Sequence, residues 1–203
     1  MISNKKSFTR KLDPEEIQNA FAYYYPISES TSLQLTNASL LRWYCREEYL
    51  EKQGQTIEKQ FIIKKGVVRG YLLDSEGNEV TISFYTSGMA VTPTLMRSVD
   101  FVSFVNLQVI SQEAEIYVFS NHIMDETMKG NGELMEFGFK VMMADSFLRA
   151  QRERMLLTYS GLERIEWFRL KFPKLENEIP HYYIASFLGM TPTSLSRLRK
   201  QKI

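Results

Sequence analysis

The sequence predicts an α+β fold in which a small antiparallel β-sandwich or barrel is followed by a long helix and a C-terminal helix-turn-helix. Three observations predict it. Residues 46–120 break into short runs rich in β-branched and aromatic side chains with turn residues between them. Residues 132–157 change to an apolar period of three and four. Residues 180–202 place small, turn-forming and apolar residues at the intervals that a pair of crossed helices requires.

A chain of 203 residues, 44% hydrophobic and 24% charged, is long enough to bury a core and is composed like a soluble globular protein. No run approaches the roughly 20 apolar residues of a membrane span, and Met1-Ile2-Ser3-Asn4-Lys5-Lys6 leads into no apolar signal core, so a cytoplasmic protein with no membrane partner is expected. Cys45 is the single cysteine, which fits a reducing compartment and a free, partly buried thiol. The net charge of +1 conceals a segregation: residues 1–157 carry 17 Lys+Arg against 20 Asp+Glu, whereas residues 158–203 carry 8 against 4. After Glu178 there is no acid, while Arg197, Arg199, Lys200 and Lys202 crowd the end. Such an end is either a solvated tail or a nucleic-acid footprint.

Taken in order, Asp13-Pro14-Glu15-Glu16 reads as a helix start, and Thr36-Asn37-Ala38-Ser39-Leu40-Leu41 as a short helix before the first strand. Strands are expected at residues 61–63, 67–73, 80–85, 101–110 and 114–119. Lys65-Gly66 can close one hairpin and Asp74-Ser75-Glu76-Gly77-Asn78 another, because Gly and Asn accept the positive φ of tight turns. In the long helix Phe137, Val141, Ala144, Leu148 and Met155 share one stripe, to be buried against the chain's own domain or against a second copy. A second amphipathic helix, residues 162–172, carries Ile165, Trp167, Phe168 and Leu170 and stops at Pro173. The resulting divisions are residues 1–129, a sensor-like β domain with N-terminal helices; 130–157, the long helix; and 158–203, the helix-turn-helix domain.

Counting from His181 as the first position, Ala185 is fifth, Gly189 ninth, Leu195 fifteenth and Leu198 eighteenth. Helices that cross closely need a small residue at the fifth place, and the ninth needs a positive φ that Gly adopts without penalty. Thr191 caps the second helix and Pro192 occupies its first turn, where a missing N–H costs nothing. With Leu195 and Leu198 inward, Thr193, Ser194, Ser196, Arg197 and Lys200 face outward. Thr191 and the outward hydroxyls suit phosphates or base edges, Arg197 suits a guanine in the major groove, and Arg199, Lys200 and Lys202 suit phosphates. The expected partner is double-stranded DNA.

The string Ile184-Ala185-Ser186-Phe187-Leu188-Gly189-Met190-Thr191-Pro192-Thr193-Ser194-Leu195-Ser196-Arg197-Leu198-Arg199 closely resembles the DNA-binding helix pair of the Crp/Fnr family of bacterial transcription regulators. Leu162-Glu163-Arg164-Ile165-Glu166-Trp167-Phe168 with Phe172-Pro173 looks like that family's entry helix. Tyr49-Leu50-Glu51-Lys52-Gln53-Gly54-Gln55, Lys65-Gly66-Val67-Val68-Arg69 and Gly77-Asn78-Glu79-Val80-Thr81 are similar to its cyclic-nucleotide-binding-like β-roll. The resemblance implies a β-roll, a dimerisation helix and a homodimer whose recognition helices enter successive major grooves, about 34 Å apart, on a roughly palindromic site. Because the chain stops at Ile203, the family's C-terminal wing is expected to be lacking.

Members that bind cyclic nucleotides carry a Gly-Glu pair and a later Arg-Ser pair. Here those places fall near Pro93 and near Phe104-Val105, so a buried phosphate would meet no cation and cyclic AMP is not the expected ligand. Tyr71, Phe84, Tyr85, Thr92, Thr94, Phe101 and Phe104 either line a pocket for a non-nucleotide small-molecule effector or fill the core. One Cys with His122 and His181 far apart builds no iron–sulfur or heme site, so neither metal nor cofactor is expected. No nucleophile, base and orienting group stand at catalytic spacing, and Gly88-Met89-Ala90-Val91-Thr92 lacks the Lys and following helix of a phosphate loop, which argues against an enzyme. The alternative to a regulator is an effector-binding sensor or scaffold with this fold and little DNA affinity.

Overall fold

The computed structural model describes residues 8–93 and 96–200. In chain order the elements are β1 (Thr9–Lys11), α1 (Pro14–Phe21), α2 (Glu29–Leu35), a 3-10 turn (Thr36–Ala38), β2 (Ser39–Cys45), β3 (Tyr49–Glu51), β4 (Lys59–Lys65), β5 (Val68–Leu73) and β6 (Glu79–Tyr85). There follow β7 (Ser98–Val99), β8 (Val102–Ser103), β9 (Asn106–Val109), β10 (Glu113–Ser120), α3 (Asn121–Met128), α4 (Gly132–Thr158), α5 (Gly161–Lys171), α6 (Leu175–Glu178), α7 (His181–Phe187) and α8 (Pro192–Arg199). Two four-stranded sheets, ordered β1-β2-β10-β4 and β3-β9-β5-β6, form the β domain, with β7-β8 as a separate ribbon. Among the described residues no helix is long and apolar enough to cross a membrane.

Local chemistry explains the helix starts. Asp13 accepts a hydrogen bond from the Glu16 amide at 2.9 Å while Glu16 reaches back to the Asp13 amide, with Pro14 in the first turn. Ser160 and Glu163 form the same box at the head of α5. The short helix expected over residues 36–41 is a single 3-10 turn. Leu40 and Leu41 belong instead to β2, where they pair with Val118 and Tyr117 of β10.

Two expected strand connections differ. Lys65-Gly66 does not close a hairpin, because β4 pairs with β10 in one sheet while β5 lies in the other, between β9 and β6. Gly66 makes that crossover at φ +97°, and a Cβ there would sit 2.7 Å from the Glu113 carbonyl oxygen. The run 101–110 is not one strand. Asp100 and Phe101, at φ 51° and 61°, turn β7 back into β8, and the Ser103 hydroxyl binds both the amide and the carbonyl of Val105 before β9 begins. The Asp74–Asn78 turn joins neighbouring strands as expected, with the Asp74 carboxylate accepting from the amides of Glu76 and Asn78. Cys45, at the end of β2, is exposed rather than partly buried.

The chain divides into two compact units, residues 1–70 with 84–144 and residues 71–83 with 145–203. The first is built on a core in which Phe21 of α1 meets Phe119 of β10 at 5.4 Å and Phe137 of α4 at 4.2 Å. Phe137 and Val141 are therefore core residues of this unit, and Met155 is wholly buried in the second, whereas Ala144 is exposed and Leu148 half-buried. The stripe read from the sequence is thus spent largely inside the chain. What α4 leaves exposed in the first unit is a different set: Met135, Phe139, Met142 and Met143.

Candidate nucleic-acid interface

The second unit builds the helix-turn-helix from its core outward. Ile184, Ala185, Leu188 and Leu195 are each 1% exposed or less, which is the packing that the motif's spacing demands. Phe187 lies among Trp167, Phe168 and Phe172 at ring separations of 5.9–6.2 Å. Gly189 turns the chain at φ +63°, and a Cβ there would be 2.9 Å from Leu156. The amide of Ser194 is capped by the Thr191 hydroxyl at 3.1 Å, and Pro192 fills the first turn of α8.

Two arginines that the spacing did not single out hold the end of α7. Arg164 donates to the carbonyls of Leu188 at 3.0 Å, Leu156 at 2.9 Å and Tyr159 at 3.1 Å. Arg152 donates to the Phe187 carbonyl at 3.0 Å and lies 4.7 Å over the Phe187 ring. Burial, with the nearby charge of Arg149, lowers the pKa of Arg152. Carbonyls at a helix C-terminus lack partners within the helix and carry partial negative charge, so two guanidinium groups there complete both requirements. In the β5–β6 hairpin, the Thr81 amide donates to the Ser186 hydroxyl at 2.9 Å, which bears on the same C-terminal end of α7.

The eight residues assigned to DNA separate into groups. Thr193, Ser196, Arg197 and Lys200 are exposed. Their spacing of three, four and seven sets them on one helix face. Thr191 is exposed, but its hydroxyl is committed to the cap and to the Ser194 hydroxyl at 2.9 Å; Ser194 is half-buried. Arg199 does not stand free for phosphates. It donates to Glu176 at 2.5 Å and to His181 Nδ1 at 2.9 Å. Lys202 lies outside the described residues.

Glu176 also takes a two-pronged contact from Arg169, at 2.6 and 3.1 Å. The hydrogen bond from Arg169, and then that from Arg199, holds the Glu176 carboxyl below the usual carboxylate range against the opposing effect of burial. Its stabilising contribution is present above that range and is lost as pH falls through the lowered value. Nothing in the local sequence marks Glu176, because its partners are 7 and 23 residues away.

In the β domain the expectation of a missing cation needs correction. Arg97, 1% exposed, lies in the segment between β6 and β7, and it pairs with buried Glu51. It also donates to the carbonyls of Thr92 at 2.7 Å and Lys59 at 3.1 Å, so the cation is already engaged within the protein. Tyr71, Phe84, Tyr85 and Thr92 are buried, and the Tyr85 and Thr92 hydroxyls are 2.6 Å apart. Phe101 and Phe104 are exposed, and Thr94 lies outside the described residues. An open groove of about 690 Å³ is lined by Leu40, Ile57, Val118 and Ile123 together with Phe101; none of the other five described pocket candidates borders it.

No family model matches the chain, and no curated protein matches it in sequence. Solved structures do. FixK2 from Bradyrhizobium japonicum superposes with a TM-score of 0.69 at 15% identity over 79% of this chain and 82% of its own. A putative transcriptional regulator of the Crp/Fnr family from Eubacterium rectale gives 0.68 at 17% identity over 85% and 82%. CLP from Xanthomonas campestris, described as a c-di-GMP responsive global regulator, gives 0.65 at 14% identity over 85% and 90%. Likeness at such identities is a likeness of fold, and the β domain, long helix and helix-turn-helix of this chain have the Crp/Fnr-like fold.

Proposed function

We propose that the chain is a DNA-binding transcription regulator of Crp/Fnr type that reads a roughly palindromic site as a homodimer. The observation that carries this reading is the single exposed face of α8 formed by Thr193, Ser196, Arg197 and Lys200. Its backing is held by the Thr191 cap, by Arg164 and by the Leu195 contact with the core. Hydroxyls and cations on a rigid helix at that spacing suit base edges and phosphates in a major groove. Residues 179–203 carry no acid to oppose the phosphate charge. The fold shared with described transcription regulators supports the same reading.

The test is duplex selection from a random pool followed by anisotropy titration at several salt concentrations. Arg197→Ala is expected to weaken the selected site by about 1–3 kcal/mol per half-site and to relax preference at one base pair of each. Lys200→Ala is expected to weaken all duplexes alike and to reduce the salt slope by about 1.8, about 0.9 from each protomer. Failure of the wild-type protein to retain any duplex at low salt would sink the reading in favour of a sensor or scaffold.

Cyclic AMP is not the effector in this proposal, because the one buried arginine of the segment between β6 and β7 is paired with Glu51 and two carbonyls. A phosphate entering there must break an existing buried ion pair. Calorimetric titration with cyclic AMP is expected to give no binding heat at micromolar protein, and micromolar affinity would overturn the point. Any effector is then a non-nucleotide small molecule.

A further inference from the structure

The helix-turn-helix is tied at one edge by a network of four side chains from four elements: Arg169 of α5, Glu176 of α6, His181 of α7 and Arg199 of α8. Glu176, with 13% of its side chain exposed, is the hub. One of its oxygens accepts from Arg199 Nε and Arg169 Nη2, the other from Arg169 Nε. A guanidinium can only donate, so His181 Nδ1 must be the acceptor of the Arg199 contact at 2.9 Å. The ring hydrogen then sits on Nε2 and is donated to the Glu176 carbonyl at 3.1 Å. Every member of the network is consistent with every other, and Arg199 has two of its donor directions committed.

Geometry on the helix agrees. At about 100° per residue, Arg199 lies roughly a third of a turn from the Thr193, Ser196, Arg197 and Lys200 face, toward the side of buried Leu195. Its side chain is 30% exposed, against the open placement of Arg197 and Lys200.

We propose that Glu176 and Arg199 are positioning residues that set the pose of α8 on DNA, and that Arg199 makes no phosphate contact. The proposal rests on the DNA-binding reading, and it reverses the sign of a simple electrostatic expectation. Glu176 is an acid beside a DNA-binding helix, so removing its charge should tighten binding if only the field matters. If it positions α8, removing its charge weakens recognition. Arg199 offers the complementary test, since lysine keeps the charge but loses the fork that reaches Glu176 and His181 together.

The experiment uses the full chain, with the duplex selected by the wild type and a scrambled duplex of equal length. Glu176→Gln and Arg199→Lys are each expected to lower the ratio of specific to non-specific affinity about tenfold, with both variants folded by circular dichroism at the assay temperature. Arg199→Ala is expected to leave the slope of log K against log salt at the wild-type value, whereas Lys200→Ala lowers it by about 1.8, about 0.9 from each protomer. The proposal is overturned if Glu176→Gln binds the selected duplex as tightly as wild type or tighter. It is overturned equally if Arg199→Ala lowers the slope and Arg199→Lys restores it. A DNA-free arm separates this idea from the reading beneath it. Faster amide hydrogen exchange is expected at residues 195–199 in Glu176→Gln, with α5 amides unchanged; unaltered protection at 195–199 overturns the proposal even where wild type retains no duplex.

Discussion

Replacing Arg97 with methionine is expected to destabilise the first unit by about 3–5 kcal/mol, the cost typical of removing one partner from a buried ion pair. Glu51 is 6% exposed, and its Oε1 has no hydrogen-bond partner even with Arg97 present. Without the guanidinium the other oxygen is orphaned too, so a carboxylate is left in the interior or must bind a proton at a cost. Arg97 also ties the Thr92 and Lys59 carbonyls to β3 through Glu51, and each would lose the Arg97 hydrogen bond in the same step. Against the roughly 5–15 kcal/mol that stabilises an ordinary domain, this is a large fraction. Urea denaturation followed by tryptophan fluorescence measures it. Arg97→Met combined with Glu51→Leu is expected to recover most of the loss, because no buried charge remains. A single variant within 1 kcal/mol of wild type, or a double variant as unstable as the single, would refute the account.

Phe139→Glu combined with Met143→Glu is expected to convert a dimer into a folded monomer. These residues are 49% and 52% exposed and one helical turn apart on α4, with Met135 one turn before and Met142 beside them. An unpaired apolar row on a helix is costly to leave in water and is covered most simply by a symmetric copy of itself. Large apolar anchors at the centre of such an interface are each worth about 2 kcal/mol or more, so two acids on each protomer, four in the dimer, are expected to weaken association by well over roughly a thousandfold. Sedimentation velocity reads the outcome. A wild-type monomer at micromolar concentration, or a double variant that still sediments as a dimer, would exclude this seam. Phe137→Glu supplies the contrast. It is expected to unfold the first unit rather than dissociate it, since Phe137 is packed on Phe21.

In α4 the sequence determines the helix but not the face it turns to the core. A period of three and four marks a helix and an apolar stripe, and α4 runs from Gly132 to Thr158 as that period implies. Two overlapping apolar sets occupy this helix, however, and periodicity cannot say which one faces the core. The choice was made by α1, whose Phe21 receives Phe137 and is itself packed on Phe119 of β10. The same holds for Lys65-Gly66, whose turn chemistry is compatible with a hairpin and with a crossover alike. Only the pairing of β4 with β10 distinguishes them.

The helix-turn-helix was legible because its constraints are local. A small fifth residue, a glycine at positive φ, a hydroxyl cap and a proline in the first turn act within a few residues of one another, so Ala185, Gly189, Thr191 and Pro192 announce it in the sequence alone. Thr193, Ser196, Arg197 and Lys200 follow as its exposed face by counting. The fate of Arg199 does not follow. Its charge suggested a phosphate, but its partners Glu176 and His181 lie 23 and 18 residues upstream. Arg97 and Glu51 are 46 residues apart and likewise met only in the folded chain. Backbone conformation and helix face are thus set by near neighbours and can be read along the chain; which charges are spent inside the protein, and which remain for a partner, depends on distant segments brought together by tertiary packing.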